Sequence, residues 1–116
     1  MTTVSFDLQG ERIVGFTVRG HSGYAEAGED IVCAAVSSAV NLVNATVNEV
    51  LGLAASVKVR EESVSLRLPG GLSETDEATC QNLLAGMMVY LSDLHQEYPS
   101  FLEVEADDPA EGELEE

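Results

Sequence analysis

The sequence predicts an α+β fold in which a mainly antiparallel five-stranded sheet packs against two helices, in the order ββαββαβ. Three observations predict it: short alternating segments come in two hairpin pairs, two long segments carry apolar residues at helical spacing, and one last alternating segment closes the chain. At 116 residues there is room for one domain with its own core and none for a second. That domain is expected over residues 1–105. Residues 106–116, acidic and poor in apolar side chains, are expected to form a solvated tail.

Val4, Phe6 and Leu8 alternate with Ser5 and Asp7, and Val14, Phe16 and Val18 alternate with Gly15 and Thr17. Gln9, Gly10 and Glu11 between them supply the turn of the first hairpin. The first helix is expected from about Asp30, a good N-cap, to about Leu53, with Val36, Val40, Val43, Val47 and Val50 on one stripe. Valines lose rotamer freedom in helices, so burial must hold this one together. Ser37, Asn41, Asn44 and Asn48 form a second, uncharged stripe, which points to cover by the sheet, the other helix or a second subunit. A second hairpin pairs Val57 and Val59 with Val64, Leu66 and Leu68 around Arg60, Glu61 and Glu62, and Pro69, Gly70 and Gly71 end it. Ser73 caps the second helix, with Glu74, Asp76 and Glu77 in its first turn and Pro99 as its stop. Its stripe of Cys80, Leu84, Met87, Leu91 and Leu94 turns to the core. Residues 101–105 alternate again, as a strand with one covered face does.

A formal charge of −16, from 21 acidic and five basic residues, argues against direct contact with nucleic acid and favours a basic protein partner. No apolar run is expected to reach the roughly 20 residues of a membrane span. The first residues lack a basic region followed by an apolar stretch, so no signal peptide is expected and the cytoplasm is the default compartment. Cys33 and Cys80 have no Cys-x-x-Cys spacing, which argues against a structural disulfide in a cytoplasmic chain; His21, Cys33, Cys80 and His95 offer no pair at short chelating spacing, so no metal or other cofactor is expected. Gly20-x-x-Gly23 lacks the lysine and the Ser or Thr of a phosphate loop.

Chemistry concentrates in residues 20–37, which run Gly-His-Ser-Gly-Tyr-Ala-Glu-Ala-Gly-Glu-Asp-Ile-Val-Cys-Ala-Ala-Val-Ser. A cysteine nucleophile works as the thiolate, and both a helix N-terminus and a nearby imidazole favour that form. Cys33, about three residues into its helix, is the candidate nucleophile, with the free N–H groups of the first turn available to an oxyanion. His21, at a loop start between Gly20 and Gly23, is the candidate general base and acid. Asp30 either caps the helix or orients His21, and Ser37 either lines the substrate cleft or packs against another helix. Ser22, Gly23 and Gly28 belong to a loop that could order on substrate. His95 reads as a surface residue without a role, and Cys80 as a packed thiol.

This block resembles the ribosomal-processing cysteine proteases, which carry Gly-His-Ala, a short glycine-containing loop, Asp-Ile-Val-Cys-Ala and a Ser or Thr soon after. The resemblance spans roughly residues 2–105, including Tyr98 and Pro99, and departs at Ser22, where the family usually has Ala. It implies a homodimeric cysteine endopeptidase that removes the N-terminal leader of a basic ribosomal protein precursor, the twenty-seventh protein of the large subunit. By the same resemblance the cut falls at a short apolar-aromatic sequence, before a basic segment. Two other functions fit the residues: a non-catalytic dimeric module for ribosome assembly or ribosomal-protein binding, in which Cys33 is merely packed, and hydrolysis or acyl transfer on a small molecule.

Overall fold

Alternation in the first 19 residues produces strands β1 (Thr2–Gln9) and β2 (Arg12–Arg19), joined by a two-residue turn. In the computed structural model, which describes residues 1–20 and 27–108, Val4 stands opposite Val18 and Phe6 opposite Phe16. All four therefore share one face of the sheet, and a bulge between Asp7 and Leu8 resets the register so that Leu8 meets Ile13. The second hairpin, β3 (Ser56–Val59) and β4 (Ser63–Arg67), joins through β4 to β2. Strand β5 (Leu102–Asp107) lies parallel to β1, which gives the order β3-β4-β2-β1-β5 with a single parallel pair.

The strand continues two residues beyond the expected domain end. Ala106 and Asp107 pair with Phe6 and Asp7, and the Gly10 N–H donates to Asp108 Oδ2 at 2.9 Å, so the packed domain includes residues 106–108. Residues 109–116 lie outside the described residues.

Helix α2 (Glu74–Glu97) follows the sequence closely. The Asp76 N–H donates to Ser73 Oγ at 3.1 Å, and Cys80, Leu84, Met87, Leu91 and Leu94 are buried against Phe6, Phe16 and Leu102. Gln81 brackets Ile13 with a bond in each direction, and Arg12 holds the Glu77 carboxylate with two nitrogens at 2.7 and 3.1 Å. These contacts fix the helix over the bulged end of the first hairpin.

Helix α1 spans Ala27–Asn44, and a π-helical segment (Ala45–Val50) continues it, ending three residues before Leu53. Val32, Val36, Val40, Val43 and Val47 all face the core, where packing overrides their weak propensity. The asparagine stripe has an internal use: Asn48 donates to Asn44 Oδ1 at 2.8 Å and accepts from the Ala55 N–H at 2.6 Å. That pair ties the helix end to a connection in which Ala54 takes a positive φ of 55°. Asp30–Val50 has a mean hydropathy of 1.5 and the length of a membrane span, contrary to the expectation that no segment reaches it. Its valine stripe is nonetheless committed to the sheet. Leu42, 64% exposed, and Tyr90, 49% exposed, border an apolar groove of about 460 Å³ between the outer faces of α1 and α2.

Candidate active site

Cys33 follows Val32 by one helical step, about 100°, which carries it from the fully buried stripe to the stripe's margin. There it is half-buried and free, and it faces a cleft of about 290 Å³. Cys33, Val36 and Ser37 of α1 form one wall, Thr2 and Val18 the floor, and Val59, Arg60, Ser63 and Val64 of the second hairpin the opposite wall. Ser37 thus lines the same cleft as the thiol. Val59, on the edge strand β3, is 78% exposed, so apolar surface extends beyond the cleft.

The helix begins earlier than its residues suggest, and three expectations change. Ala27 is already helical, which makes Asp30 the fourth helical residue, exposed, and not the N-cap. Gly28 belongs to the helix backbone and not to the preceding loop. A single glycine costs a helix only about 1 kcal/mol, and an acid such as Asp30 is favoured near the positive end, so the turn forms despite the glycine. Cys33 consequently sits seventh, in the second turn, past the four N–H groups that lack intrahelical partners.

A different group meets the thiol. Thr2 Oγ1 lies 3.6 Å from Cys33 Sγ, on a side chain only 1% exposed. Thr2 continues the inward register of Val4 and Phe6, and a hydroxyl at that place in an apolar alternation is the one mark of this contact in the sequence. Val59, Arg60, Ser63 and Val64 reach the cleft only because β4 pairs with β2 across an intervening helix, which no local pattern reports.

Strand β2 delivers the chain to Gly20, whose φ of +88° turns it sharply, while its N–H donates to the Glu62 carbonyl at 3.3 Å. A Cβ there would lie 2.6 Å from the Met1 carbonyl oxygen, so Gly20 is held against the residue that precedes Thr2. His21, Ser22 and Gly23 follow it and lie outside the described residues.

The other thiol and the other histidine are structural. Cys80 is fully buried, and burial first, then the Glu77 and Asp76 carboxylates, raises its thiol above the usual range. His95 is half-buried and donates from Nδ1 to the Leu102 carbonyl, joining the end of α2 to β5; it is not the idle surface residue expected. Among the described residues no three His, Cys, Asp or Glu side chains are placed to hold a metal ion.

Residues 1–103 match the family model described as cysteine protease Prp. A Bacillus subtilis (strain 168) protein named ribosomal processing cysteine protease Prp is 30% identical over 95 residues, 79% of this chain and 84% of that one. The fold is similar to a crystal structure from Streptococcus mutans, with a TM-score of 0.78 at 25% identity, covering 93% and 95% of the two chains. It is also similar to the S. aureus ribosomal processing protease Prp in complex with a covalently linked product peptide. That match has a TM-score of 0.71 at 25% identity and covers 92% of this chain and 100% of the other.

Proposed function

The chain belongs to the Prp family of cysteine proteases, and from that premise we propose that it removes the N-terminal leader of a large-subunit ribosomal protein precursor, with Cys33 as nucleophile and His21 as base and acid. The half-buried Cys33 thiol in the wall of an open cleft is the observation that carries this reading. In the first step His21 takes the thiol proton and Sγ bonds to the scissile carbonyl carbon, whose oxygen becomes an oxyanion. Its collapse expels the amine, which His21 protonates, and leaves a thioester on Cys33. Water, deprotonated by His21, then attacks the thioester; the acid leaves and the thiol is restored.

The cleft suits an extended apolar segment, since Val18, Val36, Val59 and Val64 are among its lining residues. A covalently linked product peptide on the S. aureus relative supports the same chemistry here. The formal charge of −16 favours approach by a basic precursor, and a ribosomal protein substrate puts the enzyme in the cytoplasm. Asp30 remains available to orient His21, and Ser22, Gly23 and Ser37 to contact the substrate. The working unit in this proposal is a homodimer, with a second copy covering the groove between α1 and α2.

Incubating the protein with a synthetic leader peptide from the same organism's ribosomal precursor, with mass analysis of the products, tests the reading. Cleavage at one bond, abolished in both Cys33→Ala and His21→Ala, supports it. Unchanged cleavage in either variant overturns the assignment.

A further inference from the structure

We propose that Thr2 is a positioning residue for the Cys33 thiolate, donating a hydrogen bond from its hydroxyl to Sγ and fixing the sulfur at the cleft. The inference rests on Cys33 being the nucleophile. The two atoms lie 3.6 Å apart, and while Cys33 is a thiol either one can donate. Once the thiol loses its proton, only the hydroxyl has a hydrogen to give. The interaction then becomes charge-assisted and stronger, so the ionised form gains more from it than the neutral form.

Three features make Thr2 suited to this task. Its backbone is anchored to the neighbouring strand: Thr2 pairs with Leu102 of β5, its N–H donates to the Phe101 carbonyl at 3.0 Å, and the next residue, Thr3, pairs with Arg19 of β2. A β-branched side chain on an anchored strand has little χ1 freedom, so Oγ1 stays where the strand puts it. Burial removes water as a competing partner, and among the described residues the hydroxyl's partner is Cys33 Sγ. Cys33, by contrast, sits near the start of a helix, and an external contact of this kind selects its rotamer. Thr2 and Cys33 both line the cleft, so the donor stands where a substrate carbonyl must approach the sulfur.

The test compares Thr2→Val, which keeps the shape and removes the hydroxyl, with Thr2→Ser, which keeps the hydroxyl and removes the methyl. Two quantities are read: the pH dependence of iodoacetamide modification at Cys33, followed by mass spectrometry, and kcat and KM for leader-peptide cleavage. Removing a donor to the thiolate disfavours that form, so Thr2→Val moves the alkylation midpoint upward by about one pH unit and lowers kcat about tenfold, with KM changed less than twofold. Thr2→Ser restores both. An unmoved midpoint in Thr2→Val overturns the proposal, as does a Thr2→Ser protein that behaves like Thr2→Val. If Thr2→Val melts below the assay temperature, Thr2→Ala against Thr2→Ser gives the same comparison. Alkylation is independent of peptide cleavage: a Cys33→Ala protein that still cuts defeats the nucleophile assignment, whereas the midpoint alone decides the hydroxyl contact.

Discussion

Gly20 stands against Met1: a Cβ at residue 20 would lie 2.6 Å from the Met1 carbonyl oxygen, and the backbone there already has a φ of +88°. Gly20→Ala therefore meets both a left-handed conformation and a backbone obstacle that has no flexible end to move. Denaturant unfolding of this variant is expected to show a loss of about 1–3 kcal/mol. An unaltered unfolding midpoint rules out the close approach.

The two thiols should react in a fixed order. Burial and two carboxylates raise Cys80 above its usual range, so it stays protonated at pH values where an exposed thiol ionises. Iodoacetamide at pH 7–8 modifies Cys33 first in the native protein, and Cys80 reacts only in denaturant. The sign for stability follows: the contribution of neutral Cys80 is complete below the ordinary thiol range, near 8.5, and is lost as pH rises through its higher folded value. Cys80→Ala removes that alkaline loss and costs about 1–2 kcal/mol of packing at pH 7. Equal reaction of both thiols in the native state refutes the order.

Truncations separate strand from tail. Removing residues 109–116 leaves the melting temperature and peptide cleavage unchanged within error. Removing residues 107–116 takes away the last β5 residue and the carboxylate that accepts from the Gly10 N–H, and lowers stability by about 1–2 kcal/mol. Identical melting of the two truncated proteins excludes a role for Asp107 and Asp108.

Leu42→Glu places a charge on the outer groove at a side chain 64% exposed in one copy. Light scattering is expected to give a dimer for the natural chain and a monomer for the variant, with melting of the dilute proteins little changed. A monomer for the natural chain at high micromolar concentration defeats the second-copy reading.

What could be read along the chain was whatever depends on near neighbours. Both hairpins follow from alternation, and α2 follows from the Ser73 cap and the stripe from Cys80 to Leu94, each within one or two turns. The start of α1 did not, because Gly28 reads as a loop residue while the cost of one helical glycine is small enough for the surrounding turn to override. Asn48 looked like one member of an outward polar stripe; its bonds to Asn44 and Ala55 depend on how the chain turns after the helix. Cys33 was legible from its motif, but Thr2 was not, since 31 residues separate them and only the sheet brings them together.

The parallel seam between the first strand and the last sets a timetable for the molecule. Thr2 takes its place only when Leu102 lies alongside and Phe101 accepts its N–H, so the floor of the cleft is unfinished until nearly the whole chain has been synthesised. An emerging chain can form its hairpins early, yet β1 keeps an open edge, and closing it means joining segments about a hundred residues apart, a slow kind of contact. A copy that ends before Leu102 carries Cys33 without the strand pairing that seats Thr2 beside it.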